Sequence, residues 1–294
     1  FQAEDGIRDP LWSRGLGDVY KRQFLRDGRF DRFLKNHPKD AKNGFEPMYP
    51  EHFCVPKTMV ASVSAQTFVL PDFLNHKTIN QLISESKKNQ EKAYYCRQEH
   101  SVFIMPYDDN FPPDHPRNRL VVSSKGCITD DQISYNSSLK ILYKSDLFRD
   151  FIAQVVGEKK LYEYNDKLSS VNIHYASEGQ ELGWHFDNSS FAITLLIQKP
   201  IAGGEFQYIR NFRDADSNEM NYEGVEELLN DKIGYDSLSM DPGTLVLFRG
   251  RNSIHRVTPV KGGLTRMLAV LAYNSEPNIS LSETSRMTFY GRLE

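Results

Sequence analysis

The sequence has 294 residues, with 39% hydrophobic and 12% aromatic side chains and a formal net charge of −3. This length predicts one large domain with an appendage, and the weakly acidic balance gives no reason to expect nucleic acid or an anionic membrane as a partner. No apolar run is long enough for a membrane span or a secretory core, and three unclustered cysteines argue against a disulfide framework or a zinc site, so we expect a reducing, cytoplasmic compartment.

Residues 1–23 are set apart from the rest of the fold prediction. Residues 3–23 resemble a translated sequencing adapter, and they show no apolar period of a strand or a helix. We therefore expect an artefactual or disordered tail without function. Residues 24–165 are expected to form a helix-rich N-terminal region that packs on a catalytic core over 166–294, all within a single domain.

The N-terminal region is predicted to alternate between regular elements and loops. A helical turn near 30–34 is followed by a strand over 59–70 and a helix over 77–90, whose apolar residues lie on one stripe. An amphipathic helix is predicted within 136–157, ending at a glycine. Residues 108–119 are rich in proline and charge, so they are expected to form a long loop of the kind that often acts as a lid or binding loop.

The core is predicted to be mainly β with flanking helices, an α+β class built on a double-stranded β-helix, or jelly roll. Short strands recur between Pro-Gly, Gly-Gly and Asn-containing turns, which is typical of that fold. The predicted strands cover residues 168–176, 191–198, 204–210, 244–248, 254–260, 266–273 and a last one near 287–290. A charged insertion over 211–236 carries a short helix. In this fold distant residues can meet, because several strands line one open end.

An imidazole and a carboxylate lie two residues apart in the stretch 183–187 (GWHFD). A spacing of two along a strand directs His185 and Asp187 to the same face. The pair supplies two of the three ligands of the 2-His-1-carboxylate triad that holds non-heme Fe(II), and His255, 70 residues later, offers the third. A structural His–Asp hydrogen bond would also explain the pair, and the spacing alone allows other divalent metals.

Arg266 opens an apolar run over 266–273 (RMLAVLAY). Burying its guanidinium unpaired would cost several kcal/mol, so we expect an anionic partner. The partner is either an internal carboxylate or the distal carboxylate of 2-oxoglutarate, which a planar fork binds bidentately. Thr194 is a hydroxyl in an otherwise apolar strand, and Asn172 shares a strand face with His174. Thr194 is either a contact for a cosubstrate carboxylate or, equally, a packing residue. Asn172 and His174 could contact 2-oxoglutarate or substrate if their face points inward, although a satisfied core histidine explains His174 better.

His185, Asp187, His255 and Arg266, in this order and spacing, resemble the Fe(II)- and 2-oxoglutarate-dependent dioxygenases. Longer stretches are similar to the BesD-like branch of free-amino-acid halogenases and hydroxylases: residues 181–187 (ELGWHFD), 194–198 (TLLIQ), 203–206 (GGEF), 242–250 (PGTLVLFRG) and 289–292 (FYGR). The likeness runs from about residue 113 to the C-terminal end.

The resemblance implies an iron site and a cosubstrate site. His185, Asp187 and His255 would be the catalytic iron ligands, and 2-oxoglutarate and O2 would take the remaining positions. Thr194 and Asn172 would join the arginine described above in binding 2-oxoglutarate. The halogenases of this branch carry a small residue in place of Asp187, and chloride occupies the iron position that it leaves free. With a carboxylate at position 187, hydroxylation is expected instead.

The resemblance also implies a small polar substrate, a free amino acid or a related amine. The candidate contacts are Arg117, Arg119, Arg251 and Asn188, although solvated or ion-paired surface roles would explain each of them equally. Three alternatives stay open: oxidative cyclisation or desaturation, as in kainoid-type cyclases; hydroxylation of a peptidyl residue; and a jelly-roll module that binds without catalysis. Neither the substrate's identity nor the oligomeric state follows from the sequence.

Overall fold

The computed structural model describes residues 62–63 and 67–294. The adapter-like tail, the helical turn near 30–34, Cys54 and part of the strand predicted over 59–70 lie outside the described residues. The described part of that strand is extended, as predicted. Cys96 and Cys127 are free thiols. Among the described residues, no helix is long and apolar enough to cross a membrane.

Strands make up most of the regular structure. They are β1 Ser62–Val63, β2 Thr67–Leu70, β3 Tyr94–Ser101, β4 Leu120–Ile128, β5 Tyr162–Glu163, β6 Val171–Ala176, β7 Leu182–His185, β8 Ala192–Gln198, β9 Ala202–Gly203, β10 Phe206–Ile209, β11 Asp236–Leu238, β12 Leu245–Phe248, β13 Ile254–Val257, β14 Val260–Lys261, β15 Arg266–Leu271 and β16 Tyr273–Asn274. The α-helices are α1 His76–Asn89, α2 Ser138–Tyr143, α3 Asp146–Val156, α4 Tyr222–Leu229 and α5 Glu283–Tyr290.

Twelve of these strands form one curled antiparallel sheet. Its order is β1-β2-β12-β8-β15-β6-β4-β7-β13-β10-β11, with β3 paired to β4. The sheet folds over at β4, which pairs with β6 near one end and with β7 at Ser123. The two halves then face each other, because Phe206 and Tyr208 of β10 pack on Phe248 of β12. The predicted jelly-roll fold is confirmed.

Alternation along the strands separates an outer from an inner face in the half formed by β2, β12, β8, β15 and β6. On β8, Ile193 and its alternate neighbours pack against α1, α2 and α3 in the main core, so Thr194 points to the inner face. The same alternation on β6 and β15 turns Asn172, His174 and Arg266 inward, because their sequence neighbours belong to the main core. The interior of the roll is therefore where polar side chains gather.

The insertion between β10 and β11 covers the outer face of the other half. Val225 and Leu228 of α4 pack there with Trp184, Phe186 and Ile254, which alternate with the inward-facing residues of β7 and β13. The predicted helix in this insertion is confirmed. Its position is fixed by an apolar contact that lies opposite the interior of the roll.

Several sequence predictions need correction. The strand predicted near 287–290 is wrong, because these residues belong to α5; the side chain of Ser282 caps its first turn and Gly291, with φ of 67°, ends it. The helix predicted within 136–157 is interrupted, because Ser145 caps a second helix there. Strands β3 and β4 were not predicted, and they extend the sheet to residues before 166.

Candidate metal and cosubstrate site

Strands β7 and β13 bring two imidazoles together inside the roll. His185 and His255 are direct partners in the register of these strands, and their ring centroids lie 4.1 Å apart. Asp187 follows β7, where its backbone N–H donates to the carbonyl of Gly250 at 3.1 Å. Its Oδ1 lies 3.7 Å from Nε2 of His185 and 3.5 Å from Nε2 of His255. The three side chains that the sequence suggested as metal ligands thus meet, with ligand atoms within 4.8 Å of one another.

Both imidazoles are held in the tautomer that leaves Nε2 free to bind a metal. Nδ1 of His185 lies 2.8 Å from the carbonyl oxygen of Gly183, and Nδ1 of His255 lies 3.0 Å from that of Ser253. A carbonyl oxygen can only accept, so each Nδ1 carries the proton and donates it. Each Nε2 then presents its lone pair, and the carbonyl fixes the orientation of the ring.

Burial and neighbouring charge keep His185 and Asp187 in the protonation states that bind a cation. Burial, together with the nearby His255, lowers the pKa of His185 to about 3, against the attraction of Asp187. Burial alone would raise the pKa of Asp187, but His255, His185 and Lys125 outweigh it and lower the pKa. Neutral imidazoles and an ionised carboxylate are the forms that coordinate metals.

The donor set fits a divalent metal of the kind that imidazole and carboxylate bind. Oδ2 of Asp187 is buried and has no hydrogen-bond partner among the described residues, which is unusual for a carboxylate oxygen in a folded protein. The ring of His255 is packed between Phe206, at 5.5 Å, and Phe248, at 4.8 Å. The side chain of His185 keeps 13% of its surface exposed, against 8% for that of His255, so the site is more accessible on the His185 side.

A hydrogen-bond chain behind His185 was not predicted from the sequence. The N–H of Gly183 donates to Oγ of Ser123 at 3.1 Å, and Oγ lies 2.7 Å from Nε2 of His100. Nδ1 of His100 lies 2.9 Å from the carbonyl of Ser101, so Nδ1 carries the proton and Nε2 accepts from the serine hydroxyl. These hydrogen bonds therefore hold the backbone N–H of Gly183, the residue whose carbonyl orients His185.

Arg266 also lies on the inner face of the roll, on β15. The residue is only 6% exposed, and no carboxylate pairs with it among the described residues. Burial lowers the pKa of its guanidinium to about 10. An added Cβ at Gly204 would lie 3.0 Å from Cδ of Arg266, so a glycine leaves room for the side chain. Of the two partners that the sequence allowed, the internal carboxylate is absent from the described residues.

The two other predicted cosubstrate contacts, Thr194 and Asn172, have different surroundings. Thr194 lies on the inner face between Val246 and Val270 of the neighbouring strands. The amide of Asn172 donates to the backbone carbonyl of Leu168 at 2.7 Å and accepts from the hydroxyl of Tyr290 at 2.8 Å. Asn172 therefore has a structural role, and its contact with a cosubstrate stays a prediction that these hydrogen bonds do not favour.

The candidate substrate contacts are not gathered at this site. Arg119 bonds the side chain of Asn230 at 2.8 Å, beside the end of α4, and Arg251 pairs with Asp216 at 3.0 Å. Both have the ion-paired or surface roles that the sequence left open. Asn188 is exposed directly after Asp187.

Arg117 is buried in the loop over 108–119, which is irregular as predicted. Its Nη1 has no partner among the described residues. No hydrogen bond or ion pair of the described residues links Arg117 to His185, Asp187 or His255, so its substrate contact stays a prediction.

Arg213 is a cation next to Phe186 that was not predicted from the sequence. Its guanidinium carbon lies 4.1 Å from the ring centroid of Phe186, the residue between His185 and Asp187. Its Nε donates to the carbonyl of Arg251 at 2.8 Å. Burial and the charge of Arg251 lower its pKa to about 10, against the attraction of Asp187. The half-buried guanidinium of Arg213 has no ion-pair partner among the described residues.

The family model described as halogenase D matches residues 118–290, which is more than half of the chain. Among solved structures, the chain is similar to the non-heme α-ketoglutarate-dependent carbocyclase SnoK from nogalamycin biosynthesis, with 11% identity and a TM-score of 0.50, over 78% of this chain and 90% of that chain. At this identity the likeness shows a shared fold. Among curated proteins, nothing matches the chain.

Two further solved structures are similar at a lower level. One is an oxidoreductase of the 2OG-Fe(II) oxygenase family from Burkholderia pseudomallei, with 12% identity and a TM-score of 0.46, over 73% of this chain and 88% of that chain. The other is HygX from Streptomyces hygroscopicus, which was solved with nickel, 2-oxoglutarate and hygromycin B bound. It has 14% identity and a TM-score of 0.47, over 71% of this chain and 82% of that chain.

Proposed function

Because the chain belongs to the halogenase D family of Fe(II)- and 2-oxoglutarate-dependent oxygenases, we propose that it hydroxylates an unactivated C–H bond of a small polar substrate, a free amino acid or a related amine. The chain is an oxidoreductase that uses Fe(II), 2-oxoglutarate and O2. The observation that carries the proposal is the meeting of His185, Asp187 and His255, with their ligand atoms within 4.8 Å of one another.

The metal would be held by Nε2 of His185, Nε2 of His255 and a carboxylate oxygen of Asp187. When bound, Fe(II), 2-oxoglutarate and O2 supply the oxidation of a substrate C–H bond, with succinate and CO2 as coproducts. The protein keeps both imidazoles oriented through the Nδ1–H bonds to backbone carbonyls. Phe206 and Phe248 close the His255 side of the site to water.

The distal carboxylate of 2-oxoglutarate would pair with Arg266. This assignment is supported by a buried guanidinium that no carboxylate neutralises among the described residues. A planar fork binds a carboxylate through two parallel hydrogen bonds, so the pairing would offset the cost of burying the cation. The hydroxyl of Thr194 faces the same interior, and it is the second group that we assign to the cosubstrate.

Hydroxylation is favoured over halogenation although the family is named after halogenases. In halogenases of this branch a small residue leaves an iron position to chloride, whereas this chain places Asp187 beside both histidines. The carboxylate fills the position that a halide would need. Substrate oxidation without halide is therefore the reaction that this donor set supports.

A carboxylate-bearing substrate is supported by Arg213. Its guanidinium is held in one orientation by the stack on Phe186 and by the Nε bond to the carbonyl of Arg251, so its remaining N–H groups are preorganised. The attraction of Asp187 opposes the lowering of the Arg213 pKa, so the charges of the two side chains interact. The carboxylate of a free amino acid is a ligand that such a fork binds bidentately.

The test is a screen for succinate release with Fe(II), 2-oxoglutarate and the free amino acids and their amines. His185→Ala and Asp187→Ala should abolish release that depends on the substrate, and undiminished turnover in either variant would end the metal assignment. Mass spectrometry of the product would show a gain of one oxygen for hydroxylation, and a loss of two hydrogens for cyclisation or desaturation.

A further inference from the structure

Lys125 is a lysine on the inner face of β4 that no role described so far uses. It shares this face with Ser123, and β4 lies between β6 and β7 in the sheet. Its Nζ lies 3.3 Å from Nδ1 of His174 on β6 and 5.0 Å from the ring centroid of Phe289. The residue is enclosed by protein but still partly exposed, as expected of a side chain that lines a cavity.

Lys125 has no carboxylate partner among the described residues. Burial lowers its pKa, and the acidic groups that oppose this effect are Cys127, Cys96 and Asp187. Two of these are thiols, and the third is the carboxylate that we assign to the metal. A buried lysine without a counter-ion is costly, so an anionic ligand would stabilise it.

The position of Lys125 indicates which part of a ligand it would meet. In the sheet, β4 lies next to β7, which carries His185, whereas Arg266 lies on β15, two strands away from β4. Between β4 and β15 lies β6, and Nδ1 of its His174 is 3.3 Å from Nζ of Lys125. Lys125 therefore lies between the metal ligands and Arg266.

His174 holds the lysine in this place. Lys125 can only donate, so Nδ1 of His174 accepts, and the proton of this neutral imidazole sits on Nε2. A histidine in that tautomer offers one more N–H donor. Lys125 and the N–H of His174 lie side by side, and Arg266 is a second cation on β15. This arrangement suits a ligand with an anionic group at each end.

We propose that Lys125 is a second cosubstrate-binding cation, which holds the 2-oxo-acid end of 2-oxoglutarate next to the metal ligands while Arg266 holds the distal carboxylate. This inference rests on the proposed function. It assigns a positioning role to a residue outside the family's iron ligands. It also explains why a lysine lies in the interior where an apolar side chain would be expected.

The test is calorimetric binding of two ligands to the anaerobic Fe(II)-loaded protein. 2-Oxoglutarate and 2-oxopentanoate share the 2-oxo-acid end, but only the first has a distal carboxylate. Lys125→Met should weaken the binding of both ligands by a similar factor, about tenfold or more, since a charge-assisted hydrogen bond is lost. Arg266→Met should weaken only 2-oxoglutarate.

Controls separate the proposed role from a loss of structure. Lys125→Met should bind Fe(II) at least as tightly as the wild type, because it removes a cation near Asp187; a misfolded variant would bind Fe(II) more weakly. Lys125→Arg keeps the charge and should retain most of the ligand affinity. Lys160→Met, a lysine 4.9 Å over the ring of Tyr162 at the surface, is the matched control and should change nothing.

The inference would be overturned by Lys125→Met binding both ligands as the wild type does, or by a loss confined to 2-oxoglutarate, which would move Lys125 to the distal carboxylate. Failure of the wild type itself to bind either ligand would instead overturn the proposed function and this inference with it. The two failures are therefore distinguishable in one set of titrations.

Discussion

The carboxylate of Asp187 occupies the space next to Gly250 that a larger residue would fill. A Cβ added at Gly250 would lie 1.9 Å from Oδ2 of Asp187 and 2.9 Å from Cε1 of His255. The carbonyl of Gly250 also accepts the backbone N–H of Asp187 at 3.1 Å. A glycine is thus needed here for close approach, because Asp187, which follows β7, and His255 of β13 both pack against it.

Gly250→Ala should therefore weaken metal binding rather than unfold the protein. The added methyl would push Asp187 away from the histidines, and we expect metal affinity to fall by about 10- to 100-fold, as for changes that misorient metal ligands. Calorimetry with Mn(II) would measure this. Gly263→Ala is the control, because an added Cβ there meets nothing within 4 Å. Equal affinities in the two variants would contradict the close approach.

Ser123→Ala should loosen the orientation of His185. The hydroxyl accepts from the N–H of Gly183 and donates to His100, so its loss loosens Gly183, the residue whose carbonyl accepts from Nδ1 of His185. We expect the affinity for Mn(II) to fall by about tenfold or more. Ser124→Ala is the matched control, because its hydroxyl bonds the N–H of Glu181 instead. An unchanged affinity for Ser123→Ala would show that the hydrogen-bond chain does not support the site.

Arg213→Met should separate substrates with a carboxylate from those without one. For the amino acid found in the screen, KM should rise by about tenfold or more, because a charged hydrogen-bonded pair is lost. For the carboxamide of the same amino acid, KM should stay nearly constant. Arg256→Met is the matched control, since Arg256 also stacks on an aromatic ring, that of Trp184 at 4.7 Å, but its Nε donates to Gln207 and not to the carbonyl of Arg251. A parallel rise for both substrates would argue against carboxylate recognition.

The meeting of the central residues could be predicted because strand geometry preserves it in the sequence. His185 and Asp187 share a face through a spacing of two, and Arg266 opens a long apolar run, so its environment is visible without a structure. The sheet then has to bring His255 alongside, and the jelly-roll expectation supplied that step. The residue types, the strand period and the expected fold were together sufficient to predict that these side chains meet.

The supporting residues could not be predicted, because their strands carry no clear period. β3 and β4 have mixed polar sequences, so neither Ser123 nor Lys125 could be assigned to an inner face before the pairing of β4 with β6 and β7 was known. Arg213 lies in a charged insertion, where nothing in the sequence marks a stack on Phe186. The helix α5 was missed because its apolar residues suggested a strand, while the caps at Ser282 and Gly291 decide the conformation.

Cys127 should make the stability of the protein depend on pH in the alkaline range. Burial raises the pKa of its thiol to about 12, from an ordinary value of 9.0. Between these values the unfolded chain has lost the thiol proton while the folded chain keeps it, so the unfolded state binds fewer protons and stability falls as pH rises. The loss is about 1.4 kcal/mol per pH unit for one group.

Cys127→Ser removes this titration and so provides the measurement. Urea unfolding of the wild type and the variant should give a difference in the free energy of unfolding that shrinks by about 1.4 kcal/mol between about pH 8 and pH 10, because only the wild type loses stability through this thiol. The sign is fixed, since a pKa raised by folding cannot add stability above the ordinary value. A difference that stays constant over this range would mean that Cys127 ionises as readily in the folded protein as in the unfolded chain.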